Sequence, residues 1–215
     1  MKSEKNATSD FTDPVLGEID RLASLISNDQ GITRKERTNL IRRLQAERKA
    51  YTPRSSLVTD VITRSATIAA LSEGDTPTIQ VMADFSGYSH HIFYPSDENW
   101  VPGVSQIQPS LLTPELTAEL TIWQEEFEST AWNDYREDRT RPMQWVSFDY
   151  AGLQIAKKIK QHVQGRARVV YAKAIQNPFN SYDDCLEVQS DGHVCLDAAR
   201  KLNCILNATS TAPVR

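Results

Sequence analysis

The sequence predicts an α+β protein: an N-terminal helical hairpin and a third helix come first, and a small sheet packed with two amphipathic helices follows. Three observations lead to this fold class. Apolar residues recur at helical spacing in two N-terminal segments, short apolar strands occur at 78–84 and 168–171, and two helical patterns separate those strands. We expect a flexible N-terminus at 1–12, a helical region at 13–72, an α+β domain at 78–206 and a flexible tail at 207–215.

The N-terminal region contains the signals of two helices joined by a short loop. Asp13 is placed to cap a helix that has Pro14 in its first turn, and the apolar residues that follow form one stripe: Val15, Ile19, Leu22 and Ile26. Thr33 and Glu36 match a capping box that opens a second helix. A short connection turns the second helix back along the first, so the pair forms a hairpin. A third helix is predicted from Ser55.

The C-terminal region alternates strands and helices. The segment from Phe85 to Gln108 is rich in aromatic residues and is predicted as an irregular loop. A helix opens at Thr113-Pro114-Glu115, with an apolar stripe formed by Leu116, Leu120, Trp123 and Phe127. In the next helix Gly152 allows close packing, and Gly165 is placed to be its C-terminal cap. Ser190-Asp191-Gly192 indicates a tight hairpin turn, and Asp197 caps a last short helix.

Composition excludes several classes of protein. The formal net charge of -4 argues against a protein whose main task is to grip phosphate backbones. The sequence has no apolar run long enough to span a bilayer and no signal-peptide pattern, so we expect a cytoplasmic protein with no membrane partner. Cys185, Cys195 and Cys204 are an odd set without an export signal and are predicted to be small buried residues.

The sequence identifies no reaction, because it offers neither a paired nucleophile and base nor a phosphate-binding loop. His90 and His91 are adjacent in an extended segment, and adjacent residues there face opposite sides. No helical pair of histidines or Cys-x-x-Cys motif accompanies them, so we predict no metal and no cofactor. An enzyme with an unrecognised site near His90 and His91 is kept as a second alternative.

Two helices are strongly charged, with opposite signs. The second helix, at 33–50, carries seven Lys or Arg residues and two Glu residues, and Arg42, Arg43 and Arg48 are its candidate nucleic-acid contacts. The helix after Pro114 is acidic. Its candidate partner-binding residues are Glu125, Glu126, Glu128, Trp132 and Tyr135, together with Trp100 from the aromatic loop 85–100. A second basic stretch runs from Lys157 to Lys173, and pairing with the acidic helix is its favoured interpretation.

Residues 78–173 resemble a class of small, uncharacterised bacterial cytosolic proteins of the strand, helix, helix, strand type. The resemblance rests on five segments: Val81 to Phe85, Leu111 to Leu116, Trp123 to Phe127, Gly152-Leu153 and Val169 to Tyr171. It implies an α+β fold and carries no established active site. Some proteins of this size and type are immunity partners of bacterial toxins, and this analogy at the level of the fold does not establish function.

The leading hypothesis from sequence is a non-enzymatic protein that binds another protein, in the form of an immunity protein that neutralises a basic toxin domain. The alternative is a nucleic-acid-associated regulator that uses the basic helix 33–50. The residues identify neither the partner nor the oligomeric state. Whether the aromatic loop binds a partner or belongs to the core also stays open at this level.

Overall fold

The computed structural model describes residues 13–53, 76–85, 89–93, 112–135, 143–182 and 185–196. Within these ranges the chain forms four helices: α1 (Pro14–Asn28), α2 (Arg34–Ala50), α3 (Pro114–Tyr135) and α4 (Trp145–Val163). The five described strands are β1 (Thr78–Val81), β2 (His90–Phe93), β3 (Arg168–Ala172), β4 (Cys185–Val188) and β5 (Val194–Leu196). The predicted α+β class and the N-terminal helical hairpin are confirmed. The third helix from Ser55, the helix from Asp197 and both termini lie outside the described residues.

The helical hairpin forms through the predicted signals. The Asp13 carboxylate accepts a hydrogen bond from the Val15 amide at 2.9 Å, and so satisfies one of the amides that a helix start leaves free. Thr33 and Glu36 form the complete capping box of α2. The four apolar residues of the α1 stripe are all buried. By contrast, α2 buries only Leu44 and Glu47, so most of its surface faces solvent.

The strands form one mixed sheet in the order β2, β1, β3, β4, β5. β1 and β3 are parallel, with Thr78 opposite Arg168, and every other pair of neighbours is antiparallel. The prediction of an irregular loop from Phe85 is wrong at His90–Phe93, because these four residues pair with β1 as an edge strand. The β4–β5 turn is the predicted hairpin, and Gly192 supplies the positive φ of 80° that this turn requires.

Helix α4 is the centre of the core. It is buried along nearly its whole length, because it packs on the sheet while α1 and α3 pack against its other sides. Gly152 makes the closest of these contacts possible: a Cβ atom there would lie 2.4 Å from Cζ2 of Trp123. The prediction of close packing at Gly152 is therefore confirmed. The prediction that Gly165 caps α4 is wrong, since Gln164 is the residue with positive φ, at 49°.

A residue from another helix caps the start of α4. No side chain next to α4 in sequence caps its first turn, but Oε2 of Glu47 accepts a hydrogen bond from the Val146 amide at 2.9 Å. Glu47 is 8% exposed, so its carboxylate serves inside the protein. The contact ties the end of α2 to the start of α4 across 99 residues of sequence.

Candidate functional site

The outward side of α3 is the most distinctive surface of the described structure. The opposite side of α3 lies toward solvent, while Gln124 turns inward together with four apolar residues: Leu116, Leu120, Trp123 and Phe127. The α3 sequence contains six acidic residues and no Lys or Arg. We define the acidic face by five glutamates and one isoleucine: Glu115, Glu119, Ile122, Glu125, Glu126 and Glu128. It is a row of carboxylates on a rigid element.

The residues predicted to bind a partner fall in different places. Glu125 and Glu128 are exposed and Glu126 is half-buried, so all three belong to the acidic face. Trp132 and Tyr135 lie in the last turns of α3, where the structure does not describe side chains. Trp100 lies outside the described residues. The acidic part of the prediction is thus placed on one surface, and the aromatic part stays a prediction.

Ile122 is the member of the acidic face that the sequence reasoning missed. Its side chain is 66% exposed, although a large aliphatic residue gains most when it is buried. The position follows from helical geometry, because Ile122 comes one residue before the buried Trp123 and therefore points away from the core. Its absence from the stripe of Leu116, Leu120, Trp123 and Phe127 was the available signal.

The acidic face keeps most of its negative charge. Lys158 of α4 pairs with Glu119, with Nζ and Oε2 2.7 Å apart, in an ion pair that is half-exposed. Glu128 accepts a hydrogen bond from the neutral side chain of Gln124 at 2.9 Å, which leaves its charge unchanged. Hydrogen bonds from its own amide and from the Thr113 hydroxyl lower the pKa of Glu115. Glu115 is therefore ionised at neutral pH.

A second charged surface lies on α2, and we call it the basic face. Its members are exposed: Arg34, Lys35, Arg42, Arg43, Arg48 and Lys49. Arg48 forms an ion pair with Asp20 of α1. Arg37 is a different case, because its guanidinium donates to the Asp29 carbonyl at the end of α1 and helps to hold the hairpin together. The three arginines predicted as nucleic-acid contacts are all on the basic face.

Most cationic side chains of the predicted second basic stretch form hydrogen bonds or ion pairs inside the protein. Lys158 pairs with α3 as expected, but Lys160 donates to the Ala167 carbonyl at 3.1 Å. Arg168 pairs with Glu187, with Nη2 and Oε2 2.6 Å apart, where both side chains are mostly buried. These groups serve the fold, and pairing with the acidic helix accounts for only one of them.

A buried polar cluster lies at the carboxyl end of β3, where ligands bind in many α/β proteins. The Asp149 carboxylate accepts hydrogen bonds from the Tyr171 hydroxyl at 2.8 Å and from Nδ2 of Asn177 at 2.7 Å. Nζ of Lys173 lies 3.7 Å from Asp149 and donates to the Tyr182 carbonyl at 2.7 Å. Burial raises the pKa of Asp149, while Lys173 and the two hydrogen bonds lower it.

This cluster is better explained as part of the core than as a catalytic centre. The adjoining recess, which Glu18 also lines, has a volume of about 20 Å³, room for about one water molecule. Lys173 also donates to the Phe179 carbonyl at 3.3 Å, so its ammonium protons are directed at protein atoms. A network whose members satisfy one another holds the loop after β3 in place and leaves no room for a substrate.

The described structure gives little support to a metal site or a catalytic site formed by the histidines and cysteines. His90 is opposite Val81 and His91 opposite Gln80 in the β1–β2 ladder, so the two positions alternate between the faces of the sheet. Their side chains lie outside the description, and the enzyme alternative stays a prediction. In the described ranges, no three His, Cys, Asp or Glu residues are grouped to hold a metal ion. Cys185 and Cys195 are buried, as predicted, and Cys204 lies outside these ranges.

Comparisons with protein-family models, with curated proteins and with solved structures found no match. In the described part of the chain, no helix has both the length and the apolar character needed to cross a membrane. The two charged surfaces are the features of the described residues that bear on function.

Proposed function

We propose that this protein binds another protein through the acidic face of α3. The observation that carries the proposal is a long, well-packed helix whose outward side presents carboxylates around an exposed Ile122. Isolated exposed apolar residues are common, but one framed by carboxylates has the composition of an interface centre with a polar rim. The partner that fits it has a basic surface with an apolar contact point.

The two parts of the acidic face have different tasks in this proposal. The carboxylates attract a basic surface over about a Debye length, roughly 8–10 Å at physiological salt, and raise the association rate. Ile122 contributes once the surfaces meet, because burial removes its apolar side chain from water. Charge therefore governs how fast the complex forms, and the apolar contact governs how long it lasts.

The particular form that we propose is an immunity protein that neutralises a bacterial toxin with a basic surface. Two features support this form of the proposal. The first is the acidic face of α3, and the second is the resemblance of residues 78–173 to small bacterial cytosolic α+β proteins. An inhibitor of this type works by covering the toxin surface, so it needs no catalytic group of its own.

A second candidate function is nucleic-acid binding through the basic face. It is favoured by the exposure of Arg42 and Arg43 on a helix with a net formal charge of +5. If it is correct, binding to duplex DNA or RNA is strongly salt-dependent and is lost when Arg42, Arg43 and Arg48 are changed to alanine. A flat titration at low salt eliminates this candidate.

The experiment that separates the two candidates is an affinity capture from the native cell extract, with nuclease treatment and quantitative mass spectrometry. Three baits are compared: the wild type, the E125K/E128K variant, and a D20K/D191K variant with the same change in net charge at exposed positions on other elements. We expect the wild type and D20K/D191K to capture a basic protein that stays bound after nuclease treatment. We expect E125K/E128K not to capture it. Equal capture by all three baits contradicts the proposal.

A further inference from the structure

We propose that the acidic face of α3 also binds the basic face of α2 in a second copy of this protein, so that the chain associates with itself through unlike surfaces. The inference rests on the proposed function, because it assigns an occupant to the same acidic face. Charge complementarity carries it. α2 has a net formal charge of +5, and α3 contains six acidic residues and no basic residue.

The two faces match in length and in spacing. With a rise of 1.5 Å per residue, the 17 residues of α2 extend for about 26 Å and the 22 residues of α3 for about 33 Å. On each helix the residues farthest from the core form one stripe, whose successive positions are three or four residues apart along the chain. On α2 the stripe includes Lys35, Arg42 and Lys49, and on α3 it includes Glu115, Ile122 and Glu125.

Both stripes are presented to solvent by helices that are fixed in the core from behind. α3 is held by Trp123 and Phe127, and α2 by Leu44 and Glu47. The described ion pairs link each helix to its own neighbour, since Arg48 pairs with α1 and Glu119 with α4. A contact between the two faces therefore joins rigid surfaces and needs no rearrangement of the fold.

A charge-swap mixture tests this contact. The E125K/E128K change reduces the formal charge of α3 from -6 to -2, and the R42E/K49E change reduces that of α2 from +5 to +1. Each variant alone then lacks one of the two partner surfaces. Their equimolar mixture restores the native combination, because the first variant brings an intact basic face and the second an intact acidic face.

The measurement is sedimentation velocity on nuclease-treated protein at low ionic strength and at about 1 M salt, where the Debye length is about 3 Å. At low salt we expect the wild type to shift from 24.3 kDa to twice that mass or more, because every copy presents both faces, and the mixture to shift toward twice that mass. At about 1 M salt both are expected to stay at 24.3 kDa, as each variant alone does at either salt. Circular dichroism of each variant confirms that it is folded. The inference is overturned if the wild type stays monomeric, if the mixture stays monomeric, or if a single variant associates as the wild type does.

A failure of this inference can be told apart from a failure of the proposed function. A monomeric wild type that still captures a basic partner from the extract refutes self-association and leaves partner binding in place. A wild type that associates but captures no partner refutes the proposed function alone.

Discussion

The change of Gly152 to alanine tests the packing at the centre of the protein. A Cβ atom at this position would lie 2.4 Å from Cζ2 of Trp123 and 2.7 Å from Cε2 of Tyr171, where carbon atoms normally approach to about 3.5–4.0 Å. Neither ring is placed to yield. Trp123 donates a hydrogen bond to the Phe148 carbonyl at 3.1 Å and stacks on the Phe148 ring, and Tyr171 donates to Asp149.

Two opposing effects set the change in the free energy of unfolding that G152A causes. Alanine is favoured over glycine inside a helix by roughly 0.5–1 kcal/mol. Overpacking of a tight core costs roughly 1–3 kcal/mol, and the displacement needed here of more than about 1 Å places Gly152 at the upper end of that range. We therefore expect G152A to lower the free energy of unfolding by about 2 kcal/mol, which corresponds to a Tm about 4–8 °C lower for a chain of this size.

The assay is urea denaturation followed by tryptophan fluorescence, with Gly17 as the matched control. Gly17 also lies inside a helix, but a Cβ atom there meets no atom within 4 Å. G17A is expected to raise the free energy of unfolding by roughly 0.5–1 kcal/mol, through helix propensity alone. If G152A is as stable as the wild type, or behaves as G17A does, α4 does not pack against Trp123 as described.

Three further predictions concern separate parts of the molecule. E47A removes the cap on the Val146 amide and is expected to cost about 1–2 kcal/mol in urea denaturation, while E47Q, which keeps an acceptor, costs less. Burial and the hydrogen bond to Asp29 raise the pKa of Tyr182 to about 12, so the folded protein keeps a proton that the unfolded chain loses near pH 10. Stability is therefore expected to fall as pH rises between these two values, and Y182F should make the fall smaller in urea midpoints measured across this range. An unchanged pH dependence in Y182F contradicts the assignment. I122S is expected to leave the Tm nearly unchanged in scanning calorimetry, because Ile122 is exposed. The same change is expected to weaken partner binding about tenfold, or about 1.4 kcal/mol, in titration calorimetry. An unaltered affinity excludes Ile122 from the interface.

The local features of the fold were predictable because their physical causes lie close together in sequence. The Asp13 cap and the capping box of Thr33 and Glu36 each join residues fewer than five positions apart, and so do successive residues of the α1 stripe. The role of Gly152 followed from its place on an apolar helix face. The charges of α2 and α3 could also be counted directly, which is why Glu125, Glu126 and Glu128 were identified in advance.

The remaining features depend on contacts between distant segments. β2 carries two histidines at its start and no alternation of apolar and polar residues, and only the pairing with β1 makes it a strand. The cap that Glu47 provides to α4 spans 99 positions, and the hydrogen bonds of Asp149 span 22 and 28. The exposure of Ile122, by contrast, was available from the sequence, since Ile122 lies outside the apolar stripe that includes Trp123.

The association rate of the captured partner, measured against salt concentration by stopped flow or surface plasmon resonance, tests the central claim most directly. For the wild type and for D20K/D191K we expect fast association that slows steeply as salt rises. For E125K/E128K we expect a rate at low salt that is at least about tenfold lower, with a weak salt dependence, because most of the steering charge has been removed. Equal rates and equal salt dependence for the three proteins would contradict binding through the acidic face of α3.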